Sequence, residues 1–338
     1  MQSDGAYAYA KACGIIGKSF IGKRLSALNG LHSLGELERL VFPDMSAASR
    51  SGRHVLGDFE KKVIQRAVDQ ILSIIDSYSK PPEILIRLLY AYEYSDLKTS
   101  FHSAIAGKKE IPPVCDIGRF SKIPFRFFPD IPAMLKNTEF DYLISDYKQV
   151  CSGNMDIKQI DIKIDSHYYN ALAKSMINLS PENNMIVRRI LGDEISLRNC
   201  ILALRLRTFY EKTPLETKDF LMDIDISRRS LATEAFASLK LPLDSRGAWN
   251  GWKWEKFLNP EDSSVHWKAS PRYFQNAASK YLYRLTLSYF HGMPMEISSI
   301  FCFVKLKQIE EDFLTSVAEG LAFGMDSNSV LRMLEEDL

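Results

Sequence analysis

Three stretches of this chain repeat one helical pattern, and that recurrence restricts its possible folds more than any other feature. The first reads AYEYSDLKTSFHSAIAGKK, from Ala91 to Lys109. The second reads LGDEISLRNCILALRLRTF, from Leu191 to Phe209. The third reads KLKQIEEDFLTSVAEGLAFG, from Lys305 to Gly324. Each centres on a cluster of charged residues that leads into an apolar helix. In register, Leu97-Lys98-Thr99 falls on Leu197-Arg198-Asn199 and, less well, on Glu311-Asp312-Phe313. Few identities are shared, but the spacing describes a chain built from similar helical modules. Such a body is more often a scaffold or adaptor than an enzyme.

Composition excludes several alternatives. With 46% hydrophobic and 25% charged residues, the chain has the makeup of a folded globular protein of 338 residues, enough for two or three modules. A formal charge of +1 supplies no global field toward nucleic acid or an anionic membrane. Cys13, Cys115, Cys151, Cys200 and Cys302 are scattered and form no CxxC pair. They read as reduced thiols of a cytoplasmic protein, with no disulfide framework and no zinc site. No apolar run reaches the ~20 residues that span a bilayer, and the first residues lack the pattern of a signal peptide. The expectation is a cytoplasmic chain that reaches a membrane only through a partner.

Helix signals dominate, and the predicted class is all-α. Ser33-Leu34-Gly35-Glu36 has the form of a capping box. Ile64, Val68, Ile71, Leu72 and Ile75 fall on one helical stripe. Pro81-Pro82 breaks that helix, and the next is predicted from about Glu83 to Ala106 with Gly107 as its stop. The stretch IPPVCDIGRFSKIPFRFFPDIPA, residues 111–133, reads as an extended connection packed by its phenylalanines. Ser180-Pro181-Glu182 and Thr213-Pro214-Leu215-Glu216 each read as a cap followed by proline at the first helical position. Helices resume at Ser270-Pro271, Gly324 ends the third repeat, and Asp326-Ser327 caps a final helix. The expected modules are residues 1–112, 113–212 and 213–338, the last interrupted by a tryptophan-rich insertion at 245–273.

Candidate chemistry is sparse. Neither a GxxxxGK[ST] loop nor GxGxxG occurs; Gly14, Gly17 and Gly22 lie near Lys18, Lys23 and Arg24, but that segment reads as an N-terminal helix. Asp223-Ile224-Asp225 is a DxD sequence, which could serve a helical metal-dependent enzyme through Asp223 and Asp225. Without strand context it reads instead as a solvated turn or cap. His32, His54, His102, His167, His266 and His291 show neither HxxxH nor HExxH spacing, and no GxSxG elbow is present. No catalytic, cofactor-binding or metal-binding residue is therefore assigned. Glu93 with Lys98, Glu194 with Arg198, and Lys307 with Glu311 lie near the spacing of helical ion pairs. Exposed, each pair would be worth a few tenths of a kcal/mol; partly buried, they could orient neighbouring helices.

The insertion holds all four tryptophans, and Trp249, Trp252 and Trp254 interleave with Arg246, Lys253 and Lys256. Three readings stay open. The segment could stack single-stranded nucleic acid or a sugar. It could be a partner-binding hot spot. The plainest reading, given most weight, is a loop folded onto its own module by its aromatics.

The third repeat resembles the last long helix of the central-stalk C-type component of bacterial and archaeal vacuolar-type rotary ATPases, whose eukaryotic counterpart is the d-type component. That helix reads approximately LKExEIRNIxxIAExIxxGI. Leu306-Lys307, Glu310, Val317-Ala318-Glu319-Gly320-Leu321 and Gly324 match it, while Asp312-Phe313 stand where the family usually has Arg-Asn. Arg198-Asn199 keep that pair in the second repeat. The start, Tyr7-Ala8-Tyr9-Ala10-Lys11-Ala12 followed by Ser26-Ala27-Leu28 and Leu34-Gly35-Glu36-Leu37, is similar to the family's opening helices. The tryptophan-rich segment matches nothing in that pattern.

The resemblance implies three similar modules arranged as a pseudo-threefold funnel. One face would sit on the membrane proteolipid ring, and the opposite cavity would receive the central shaft. Such a component is non-catalytic, has no cofactor, binds no nucleic acid and forms no homo-oligomer. It is peripheral on the cytoplasmic face, and its complex links ATP to H⁺ or Na⁺ transport. Lys98, Arg198, Asn199, Lys307 and Glu310 are the repeat positions expected to matter. Trp249, Trp252 and Trp254 are the candidate partner contacts. The competing expectation is an unrelated helical adaptor that binds a protein or single-stranded nucleic acid through the tryptophan loop.

Overall fold

The computed structural model describes residues 2–22, 24–43, 53–226, 229–261 and 266–335. Among these the chain forms α1 (Gln2–Ile16), α2 (Leu34–Val41), α3 (Arg53–Ile75), α4 (Glu83–Ile105), α5 (Ile131–Leu135), α6 (Leu143–Cys151) and α7 (Ile157–Ser175). Then follow α8 (Pro181–Phe209), α9 (Pro214–Lys218), β1 (Asp225–Ile226), β2 (Arg229–Ser230), α10 (Thr233–Ser238), α11 (Pro271–Gly292), α12 (Ile297–Ala322) and α13 (Ser327–Glu335). The class is all-α. The two short strands form a single antiparallel pairing, Asp225 with Ser230 and Ile226 with Arg229.

The helix ends follow from local sequence. Ser180 accepts from the Asn183 amide ahead of Pro181, opening α8. Thr213 and Glu216 exchange both bonds of a capping box at α9. Ser33 caps α2, but Glu36 reaches back one residue further, to the His32 amide, 2.8 Å away. Gly107 and Gly324 take positive φ just past α4 and α12, as a helix stop requires. Past α8 the left-handed residue is Glu211 (φ 49°), a non-glycine. At the N-terminus α1 stops at Ile16, so Gly17 to Arg24 form turns and not the continued helix expected; Lys23 lies outside the described residues.

The chain divides into two compact units. Unit 1 comprises Met1–Leu89, Cys115–Ile117 and Tyr283–Leu338; unit 2 comprises Tyr90–Val114 and Gly118–Leu282.

In unit 1, α12 packs on α1, α2, α3 and α13. From Ser298 to Lys307 every α12 residue is buried, so this half of the helix is enclosed on all sides. The stripe of α3 that meets the core is Val63, Ala67, Val68, Ile71, Ile74 and Ile75, rotated from the predicted one because Ile64 and Leu72 are only half-buried. Phe20, Leu37, Phe59, Leu314, Val317 and Leu331 complete a core to which each fully buried side chain contributes about 1.5–3 kcal/mol. Gly320 lets α13 approach α12, since a Cβ there would collide with the Val330 side chain.

In unit 2, α8 packs against α9 and α10, while α5, α6 and α7 pack in succession. The connection after α4 is held down by buried Ile123, Phe125 and Phe128, with Phe127 turned outward. Among its described residues the tryptophan-rich segment has only short 3₁₀ turns before α11, and its indoles join Leu197, Leu204 and Phe274 in one core.

Candidate functional site

Each repeat helix carries one buried polar side chain that grips the backbone of a connecting segment. In α4, Glu93 Oε1 accepts from the Ser121 hydroxyl (2.8 Å) and from the amides of Lys122 (2.6 Å) and Ile123 (2.9 Å). In α8, Asn199 donates to the Met222 carbonyl (2.9 Å) and accepts from the Met222 amide (3.0 Å). In α12, Glu310 Oε1 accepts from the Phe20 amide at 2.7 Å. All three side chains are buried. In the repeat register Asn199 aligns with Thr99 and Glu310 with Asp96, so the three grips lie on one helical face, successive positions about one turn apart. A buried backbone N–H must be paired, and here a side chain supplies the partner that no secondary structure offers.

The cations of the predicted pairs have further partners in the fold. Lys98 reaches Asp165 of α7 at 2.8 Å, not Glu93. Arg198, the equivalent of Lys98 in the second repeat, also approaches Asp165, at 3.5 Å. Two repeat-related cations thus converge on one carboxylate. Arg198 is linked to Glu194 through Tyr169, whose hydroxyl donates to Glu194 (3.0 Å) and accepts from Arg198 (3.3 Å). One turn back on α7, His102 meets Asp161 at 2.9 Å.

Next to this seam, Glu139 accepts from the Tyr94 hydroxyl (2.5 Å) and lies 3.1 Å from His167 Nε2. The hydrogen bond to His167 is the main reason its carboxyl is held down to about 2; partial burial opposes it, and Tyr94 and Lys122 add to the depression. Sequence reasoning does not single out Asp165, Tyr169 or Glu139. A signal exists for two of them: Asp161, Asp165 and Tyr169 recur every fourth residue of α7, which places them on one face.

Lys307 pairs with Glu310. Both members are almost fully buried, with 3% and 2% of their side-chain surface exposed. Burial pushes the Lys307 ammonium down from its ordinary value, and Glu310 opposes that push. A buried pair of this kind is costly to break from one side.

The tryptophans face inward. Trp249 is fully buried, and Trp252 and Trp254 are nearly so. Their indole N–H groups donate to the Pro242 carbonyl (2.8 Å), the Glu234 carbonyl (3.1 Å) and Ser196 Oγ (3.2 Å). As packed, the rings offer a partner little surface, and the segment presents Lys253 and Lys256 outward instead. Asp223 is exposed and accepts from the Ser230 hydroxyl; the side chain of Asp225 lies outside the described residues. Among the described residues, no three His, Cys, Asp or Glu side chains come together as a metal site, and no helix is long and apolar enough to cross a membrane.

The arrangement is thus one of fastenings: ion pairs and backbone grips, each inside its own unit. An uncharacterized protein of Treponema pallidum (strain Nichols) is 28% identical over 322 residues, covering 94% of this chain and 92% of the relative. Residues 45–333 match the family described as ATP synthase (C/AC39) subunit. That match takes in all three repeat helices, the side chains of their buried grips and the tryptophan-rich segment, so the chain belongs to the ATP synthase (C/AC39) subunit family.

Proposed function

We propose that this protein is the non-catalytic central-stalk component of a rotary vacuolar-type ATPase, coupling the central shaft to the membrane proteolipid ring on the cytoplasmic face. The observation that carries this reading is the family match over residues 45–333. The recurrence of a buried backbone grip in each of three repeat helices supports it. On this reading α4, α8 and α12 head three related modules around a pseudo-threefold axis, and the protein transmits torque while the ion-binding carboxylates reside in the ring. A coupler needs stiffness, and close-packed helices with directional polar fastenings resist shear. The test is co-expression with the proteolipid ring and central-shaft proteins of the same organism, followed by purification through a tag on the ring. Retention of this chain together with the shaft is the expected result. Loss of both contacts at low salt would sink the coupling role while leaving the fold intact.

A further inference from the structure

Unit 2 contains a cleft of about 330 Å³ between α8, the residues leading into α10, and the tryptophan-rich segment. That volume lies at the lower end of the range for small-molecule sites, roughly 300–1,000 Å³. Three cations line it, Arg188, Arg189 and Lys253, against two carboxylates, Asp193 and Glu234. Asp193 is buried and already engaged: Arg189 Nε stands 3.1 Å away, Lys253 Nζ 3.2 Å, and the Tyr281 hydroxyl donates to it at 2.6 Å. Its charge is spent on holding two of the cations in place. Lys253 is steadied further by the face of Trp254, its Nζ 4.0 Å from the ring centroid. Trp252 and Trp254, on either side of it, are fixed by their indole bonds to Glu234 and Ser196. Arg189 and Lys253 are therefore pre-organised, which lowers the cost of binding.

A second observation points to the same place. Gly192 lies inside α8 and lines the cleft, although glycine in a helix interior costs about 1 kcal/mol relative to alanine. Packing does not demand it. A Cβ added there would meet only the Leu231 side chain, at an ordinary 3.8 Å. In the repeat register the equivalent positions hold Tyr92 and Leu306, both buried. The second repeat alone leaves this position empty, and the cleft lies where the missing side chain would be.

We propose that this cleft binds a small organic anion through a phosphate or carboxylate group, held by Arg188 and Lys253, with its carbon body in the space beside Gly192. Arginine and lysine together on a fixed frame suit an oxyanion. The inference is independent of the coupling role. The oxyanion could come from a free metabolite or from an acidic side chain of another protein, and the probes separate the two.

The experiment titrates the full chain with glycerol phosphate, succinate and a glutamate-rich pentapeptide. Tryptophan fluorescence is the readout, since Trp254 lies directly under Lys253, with calorimetry beside it. A saturable response to either small anion assigns a free ligand. Saturation by the peptide alone assigns a carboxylate carried by a partner chain. Arg188→Gln should weaken binding about ten- to a hundredfold, the range for a hydrogen bond to a charged group. Gly192→Ala should raise the melting temperature and weaken binding, so lost affinity cannot be blamed on unfolding. Gly192→Leu should abolish the response, and Lys256→Gln, on the same segment but outside the cleft, should leave it unchanged. No saturation with any probe, equal responses to sodium chloride, or an unaltered response in Gly192→Leu would overturn the proposal.

Discussion

Replacing Glu93 with alanine tests whether the buried grips hold the connecting segments. Glu93 is 1% exposed, and one of its oxygens accepts from two amides and a hydroxyl. Truncation leaves the Ile123 amide buried without a partner and the Lys122 amide partly so, because Ile123 is buried while Lys122 reaches solvent. An orphaned buried donor costs about 1–3 kcal/mol, and the exposed Ser121 hydroxyl recovers its bond from water. The expected loss is therefore about 3–5 kcal/mol once the small cavity is added. Glu93→Gln keeps a carbonyl acceptor but loses the charge-assisted part of the bonds, so about 1–2 kcal/mol is expected. Urea unfolding followed by circular dichroism measures both, and hydrogen exchange at Lys122 and Ile123 shows where the damage falls. A loss under about 1 kcal/mol in Glu93→Ala, or unchanged exchange at those two amides, would refute the reasoning.

Four other outcomes follow from the same physics. Glu139 has a folded-state pKa of about 2 against an ordinary 4.5, so its stabilising contribution is complete above about pH 4.5 and fades as pH falls toward 2; Glu139→Gln should flatten that acid limb by up to about 2 kcal/mol in urea melts from pH 7 to 3. Lys307→Met strands a buried carboxylate and should cost about 3 kcal/mol, whereas Lys307→Met with Glu310→Gln, which keeps an acceptor for the Phe20 amide, should recover most of it by the same melts. Gly320→Ala should destabilise by about 1–3 kcal/mol by driving a methyl into Val330, with Val330→Ala as the partial rescue in thermal unfolding. Glu211→Gly should raise stability by about 1 kcal/mol, because Glu211 sits exposed at φ 49° past α8, where glycine carries no Cβ penalty; an unchanged melting temperature would argue against strain there.

What the sequence disclosed and what it withheld divide along a physical line. Helix boundaries are set by neighbours in the chain, so Ser180-Pro181, the Thr213–Glu216 box, Gly107 and Gly324 were legible and stand where expected. The stripe on α3 was legible in kind but rotated, because tertiary contact with α12 and not hydropathy alone selects Val63 and Ala67 over Ile64. The strand pair at Asp225 and Ser230 spans two residues a side and leaves no alternation to detect. Burial of the tryptophans followed from the plainest reading of that segment, since an indole gains more from a core than from solvent once its N–H finds a carbonyl.

The polar partners were the least legible, and Lys98 shows why. Its sequence neighbour Glu93 lay near the right spacing, yet Glu93 is committed to three donors from a connection about thirty residues away, and Lys98 turns to Asp165 instead. A carboxylate that satisfies buried amides relieves a penalty that no other group in the connection can relieve; an exposed helical ion pair is worth a few tenths of a kcal/mol. The stronger demand takes the acid, and the cation finds another. The same competition explains Asn199, which spends both halves of its amide on Met222. Spacing rules rank pairs by proximity along one helix, whereas the folded chain ranks them by what would otherwise stay unpaired. In the proposed coupler this ordering has a mechanical consequence. Apolar contacts tolerate sliding, but a buried side chain bonded to connector backbone fixes the register of helix against connector, and one such grip, on one residue or on two, is present in each repeat helix.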